Sequence, residues 1–282
     1  MRRSTLPRVL ALPLLLTSCQ GNQTHPENTT PYEAGSSAPL SCIPNLDGTI
    51  DSSELQPALN LSAKYLVNKA GSTRAVDVAG TTNSSGQLVW DWGTSYSDDQ
   101  VATIEATNLS SKWYAASFPN GQFATPFDAG DTIEAVYSQD SAGLYLQGIA
   151  STQENPPEGK TLWTYDKPVT LYVFPMKPGT KWTSTGVIRN GLARGVPYCA
   201  TDRYDGTDDA TGQMILPDFT FTQAHRLRFV VTTTFCAGGN PEVNRQDSFL
   251  FECFGEVGRA TSAAGETSDN FTTATEQRRL GI

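Results

Sequence analysis

Seven short runs constrain the fold of this chain more than any other feature: KYLVNK, QLVWDW, TIEAVYSQ, LYLQGIA, VTLYVFP, RLRFVVTTT and DSFLFECF. Each is rich in aromatic and β-branched residues and is bounded by Gly, Pro, Asn or Asp, the pattern of a strand between turns. Side chains alternate between the two faces of a strand. In DSFLFECF this puts Phe249, Phe251 and Cys253 on one face and Leu250, Glu252 and Phe254 on the other. In RLRFVVTTT it sets Leu227, Phe229 and Val231 against Arg228, Val230 and Thr232. No long stretch repeats apolar residues at helical spacing, and no strand–helix alternation suggests a parallel sheet. The expected fold is all-β, with antiparallel sheets arranged as a sandwich or a curved half-barrel. The stretch 151–160, STQENPPEGK, is the strongest internal break; it either divides two sheets or forms a long hairpin loop.

The ends read differently. Arg2, Arg3 and Arg8 precede the apolar run VLALPLLL, so residues 1–18 have the layout of a secretory signal, and that run is too short to span a bilayer as a helix. Residues 20–41 are polar and rich in Pro, Ser, Thr and Asn, which reads as a disordered tether. The folded region is expected over 42–262, with 263–282 as a polar, frayed tail. Removing the signal removes three arginines and no acid, so the formal charge of -9 becomes -12. An acidic chain with no basic cluster repels phosphate backbones, which excludes nucleic acid as a partner class. Beyond Cys19 stand Cys42, Cys199, Cys236 and Cys253. In an oxidising compartment they allow three pairings that sequence alone does not separate. The preferred one joins Cys199 to Cys236 and Cys42 to Cys253, the second bond tying the start of the fold to its last strands.

The segment LTSC, Leu16 to Cys19, resembles the lipobox of bacterial lipoproteins. That resemblance implies an acylated Cys19 as the mature N-terminus and stable anchoring through several acyl chains. Gln20 then points to the outer membrane, with a periplasmic or surface-exposed domain. The phrases FPMKPGTKW, GQMILPDFTFTQAHRLRF, SFLFECFGEVGRATS and PNLDGTIDSSEL are similar to those of secreted β-rich modules. Together they make the mature domain resemble an uncharacterised family of bacterial lipoproteins. The resemblance implies fold and location and brings no activity or catalytic residues. Some related modules look like curved half-barrels that hold lipids, which makes a hydrophobic small molecule or another envelope component the expected partner.

Catalytic signals are sparse. Nucleophilic triads need an imidazole, and the folded region holds one histidine, His225, whose alternation partners are Leu227 and Phe229. It reads as a core or edge histidine. No HExxH, CxxC, nucleophile elbow or phosphate-cradling glycine loop occurs. Carboxylates for acid–base work on a sugar are Asp98 with Asp99, and Asp202, Asp205, Asp208 and Asp209 in TDRYDGTDDATG. The latter group has the composition of loops and turns. Trp90, Trp92, Trp113, Trp163 and Trp182 read as core, with Trp90 and Trp92 on one strand face.

One segment carries a metal-like pattern. In CIPNLDGTIDSSEL, aligning Gly48 with the invariant glycine of an EF-hand loop makes Asn45, Asp47, Thr49, Asp51 and Glu54 ligands, with Ile50 at the aliphatic position. The first ligand position is Ile43, and Pro39 and Pro44 oppose an incoming helix. The same residues also spell a turn at Asp47-Gly48 and a short helical turn capped by Asp51 and Glu54. The sequence therefore leads to a membrane-anchored, non-catalytic binding or envelope-surface module without a cofactor. A weakly calcium-binding structural domain and a carbohydrate-active enzyme with dispersed carboxylates are the alternatives.

Overall fold

A computed structural model describes residues 42–128 and 130–282. The expected signal 1–18, Cys19 and the expected tether 20–41 lie outside the described residues. Among those described, the strands in chain order are β1 Ser62–Val67, β2 Arg74–Ala75, β3 Thr81–Thr82, β4 Leu88–Asp91, β5 Gln100–Glu105 and β6 Thr107–Asn108. There follow β7 Phe123–Pro126, β8 Ile133–Gln139, β9 Gly143–Ser151, β10 Leu162–Val173, β11 Lys181–Ala193 and β12 Val196–Ile215. The last are β13 Thr220–Phe235, β14 Glu242–Phe251, β15 Gly255–Thr261, β16 Thr273–Ala274 and β17 Glu276–Gly281. All seven runs fall in strands, and among the described residues the only helices are single 3-10 turns, the first at Ser52–Leu55.

One sheet takes the order β5-β1-β17-β15-β14-β13-β12-β11-β10-β9-β8-β7-β6. Its two end members, β5 and β6, are neighbours in the chain, separated only by Ala106, so the sheet curves nearly into a closed barrel. The curvature exceeds a half-barrel and leaves almost no free edge to template other chains. Closure is weakest at this seam, where β6 pairs with β7 through only Thr107↔Ala124 and Asn108↔Phe123. Every pairing is antiparallel except β4 on β12 and the isolated bridge Leu59↔Ala106. The β11–β12 hairpin turns on Arg194 and Gly195, both at positive φ, the geometry that matches strand twist in two-residue loops. The stretch 151–160 is the hairpin loop between β9 and β10, which pair from Leu162↔Ala150 onward in the same sheet.

Partners in register share a face. Tyr204, Val231 and Ser184 therefore point together into the barrel, as do Asp208 and Leu227. Gly206 stands opposite Trp182, and any Cβ there would meet the indole at 2.4 Å, so the ring lies over a glycine. At one end of the interior, Ile50 is fully buried against Phe174, Met176, Leu227, Phe229 and Leu250. Ile50 and Met176 exchange both backbone hydrogen bonds, at 2.7 and 2.9 Å. Residues 42–56 thus act as a plug. Outside the barrel, Trp90 and Trp92 both pack edge-on to Phe249 with ring centroids at 4.9 Å, under the covering segments that hold β2–β4 and Phe271. The disulfides are Cys42–Cys253 and Cys199–Cys236, with Cα atoms 5.5 and 5.4 Å apart.

Two expectations fail. Residues 263–282 are not a tail: Phe271 and Ala274 are buried, and β17 lies between β1 and β15. Their polarity is deceptive because Arg279, wholly buried, donates to Trp92 O at 3.1 Å, Thr94 O and Asp99 Oδ2 at 2.6 Å. TDRYDGTDDATG is likewise no loop but the interior of β12, the longest strand. Strand-breaking aspartates are held there by specific partners, and a bulge between Asp208 and Ala210 absorbs the irregularity.

Candidate functional site

Residues from distant members of the sheet order meet only across the inside of the barrel. Tyr65 of β1, Tyr137 of β8, Tyr172 of β10 and Glu256 and Arg259 of β15 line one cavity of about 140 Å³, with Ile104, Thr125 and Phe127 at the seam between β5 and β7. At roughly 30 Å³ per water this is room for four or five waters or one ligand of similar bulk.

Glu256 Oε2 accepts from Arg259 Nε at 3.0 Å and Nη2 at 2.9 Å. Tyr65 Oη donates to Glu256 O at 2.6 Å. Arg278 is occupied by Glu276 at 2.8 Å and by Phe127 O at 2.7 Å. Burial disfavours the charge on Arg259, but Glu256 and Glu276 more than restore it, so the guanidinium stays charged. Burial, and then the Glu256 carboxylate, push the Tyr65 and Tyr172 phenols well above their ordinary range. Both are therefore hydrogen-bond donors at any physiological pH. Among the described residues, nothing accepts from Arg259 Nη1 or Tyr172 Oη; both are unspent donors.

The acidic residues singled out in the sequence scatter over both faces. Asp202 is interior and accepts from Tyr165 Oη and Thr233 Oγ1, each at 2.7 Å. Asp208 pairs with His225 Nδ1 at 2.8 Å, both buried, and its carboxyl is raised by burial against the pull of the histidine. Asp205 is taken by Thr183 and Arg203, and Asp209 by both Arg226 nitrogens at 2.8 Å. Asp98 and Asp99 bind Arg74, and Asp99 also binds Arg279. Burial lifts the Asp99 carboxyl, but the bonds from Arg74, the Tyr96 amide and Arg279 hold it below the ordinary carboxylate value.

The EF-hand-like residues are brought close, and the side-chain oxygens of Asn45, Asp47 and Glu54 accept hydrogen bonds within the loop. Asn45 Oδ1 accepts from Asp47 N and Asp47 Oδ1 from Thr49 N, each at 2.8 Å. Glu54 accepts from Asn45 Nδ2 at 2.8 Å and Asp51 N at 2.9 Å. Glu252 Oε2 clamps the loop by accepting from Asn45 N at 2.6 Å and Leu46 N at 2.8 Å. Among the described residues no group of three or more His, Cys, Asp or Glu is placed to share a metal ion.

Neither Arg259 nor Glu256 stood out in the sequence, because GEVGRAT gives no sign that its charges turn inward. The tyrosines each lie in a separate strand, and nothing local says that they converge. Comparison with protein-family models, curated proteins and solved structures finds no match to this chain.

Proposed function

We propose that this chain is a bacterial outer-membrane lipoprotein, held by acyl chains on Cys19, whose barrel is a non-catalytic binding module for a small carboxylate. The anchor is supported by the arginine-led apolar run that ends in LTSC. The ligand class is supported by one observation: Arg259 Nη1 and Tyr172 Oη are two unspent donors on a single cavity of about 140 Å³. Guanidinium and a neutral phenol can both donate to a carboxylate, and the charge of Arg259 strengthens its bond. A hydrophobic molecule of acyl-chain size suits this space poorly. Small-molecule pockets run to roughly 300–1,000 Å³ with mostly apolar walls, whereas this cavity is smaller and carries Arg259, Arg278 and Glu256.

Calorimetric titration of the mature chain with propionate tests the reading. Binding is expected at millimolar concentration, with equal strength at pH 6 and pH 8, since neither donor titrates there. Tyr172→Phe is expected to weaken it by about tenfold or more, the worth of one hydrogen bond to a charged group. No heat at tens of millimolar propionate, or unchanged affinity in Tyr172→Phe, would sink the proposal.

A further inference from the structure

A second pocket lies on the outer face of the barrel, away from the lumen. Its volume is about 260 Å³, and β12, β13, β14 and the segment before β16 supply its walls. Three of its charged side chains already have their partners. Asp205 is held by Arg203, with bonds of 2.8 to 3.1 Å, and Asp209 by Arg226 through both oxygens. Asp269 is held by Arg245. Asp247 is different. It is 2 % exposed, it lines the pocket, and its buried Oδ2 accepts no hydrogen bond among the described residues.

The nearest cation makes no hydrogen bond to it, and Arg228 Nε is itself without a hydrogen-bond partner. Arg228 Nε stands 3.7 Å from Asp247 Oδ2 but 2.9 Å from Asp209 Oδ2. Its Nη1 donates to Asp269 O at 2.8 Å and its Nη2 to Asn270 Oδ1 at 2.7 Å. Asp209 and Asp247 thus both approach the same guanidinium nitrogen.

A buried carboxylate without a donor is costly unless something supplies one. We propose that this pocket binds the primary ammonium group of a small alkylamine, seated against the Asp247 carboxylate. An anion would meet four carboxylates, those of Asp205, Asp209, Asp247 and Asp269, against the two lining guanidiniums of Arg228 and Arg245. A metal ion finds no three convergent acid, His or Cys ligands among the described residues. An ammonium needs one strong acceptor with further oxygens nearby, and Val230 offers an apolar wall to the attached methylenes.

The titration of Asp247 agrees with this geometry. Burial pushes its carboxyl up to about 7; Arg228 and Arg226 oppose the shift, and Asp209 and Asp269 reinforce it. The remaining charged neighbour on its own strand, Arg245, is bonded to Asp269 and to Glu266 O. The empty pocket therefore holds its proton near neutrality, and an ammonium entering it displaces that proton.

The test is calorimetry of the mature chain with 1,4-diaminobutane at pH 6 and pH 8. The ionised fraction of a carboxyl near pH 7 rises about tenfold over that interval, and the affinity is expected to rise with it. Asp247→Asn is expected to lose at least tenfold in affinity at pH 8 and to flatten the pH dependence. Glu158→Gln, on the exposed β9–β10 loop, and Tyr172→Phe, in the lumen, should bind as the parent does, which separates this site from the carboxylate site inside. Equal affinity at the two pH values, parent-like binding by Asp247→Asn, or no saturable binding at millimolar diamine overturns the proposal. Should Asp247→Asn fail to fold, carboxyl carbon NMR on the parent decides. The diamine must lower the Asp247 midpoint by about one unit, and an unmoved midpoint contradicts the assignment.

Discussion

Single side chains set the sharpest consequences. Asp247 is raised by burial from its ordinary value of 3.8 to about 7. The folded chain then holds this proton more tightly than the unfolded chain does. The associated stability is fully present below the ordinary carboxylate pKa, falls as the pH rises toward 7, and levels off above it. Three units amount to about 4 kcal/mol. Asp247→Asn keeps the shape and removes the titration, so urea midpoints should fall less between pH 5 and pH 8 in the variant than in the parent. The variant should also be the more stable of the two at pH 8. A parallel decline in both proteins would contradict this. Asp99 runs the other way: its lowered carboxyl supports the fold above the ordinary pKa and releases Arg74 and Arg279 only as the pH falls through its depressed value. Arg279 is wholly buried, and Asp99 is the carboxylate that balances its charge, so Asp99→Asn should cost about 3–5 kcal/mol, as loss of one member of a buried pair does. A thermal melt within a degree of the parent would refute that.

Elements were legible in proportion to how apolar they are. The seven aromatic and β-branched runs announced their strands, and Trp90 with Trp92 proved to share a face against Phe249. β12 was hidden because its aspartates and glycines carry turn composition. Only tertiary partners such as Tyr165, Thr233 and His225 make Asp202 and Asp208 tolerable in a strand. β17 was hidden for the same reason, since EQRRLG looks solvated until Asp99 and Glu276 are found beside its arginines. The segment 42–56 shows how a ligand-like spacing can serve packing: Ile50 of the EF-hand pattern enters the core, and Glu54 and Glu252 spend their oxygens on the loop's own amides. Several millimolar calcium is expected to leave the melting temperature unchanged, and a rise of several degrees would identify the loop as a metal site. The Cys42–Cys253 bond holds this plug to the β14–β15 turn. Replacing both cysteines by serine should lower stability by about 2–4 kcal/mol in denaturant titration, the usual worth of a native disulfide.

At the scale of the whole molecule, the near closure of one antiparallel sheet decides what the protein can hold. Side chains fill most of the barrel, the plug stops one end, and the seam at β5–β7 borders the space that is left. This was the least legible level in the sequence, because Tyr65, Tyr137, Tyr172 and Arg259 lie up to 194 positions apart and share a cavity only through the sheet order. The proposed membrane location rests on acylation of Cys19, and Cys19→Ala is expected to move the protein from the membrane fraction to the soluble one; retention in the membrane would refute the anchor. The lumen carries the proposed binding function. A crystal structure of the tetherless domain grown in saturating propionate should show a carboxylate within hydrogen-bonding distance of Arg259 inside the barrel. A lumen holding only water under those conditions, or one collapsed onto Glu256, would contradict it.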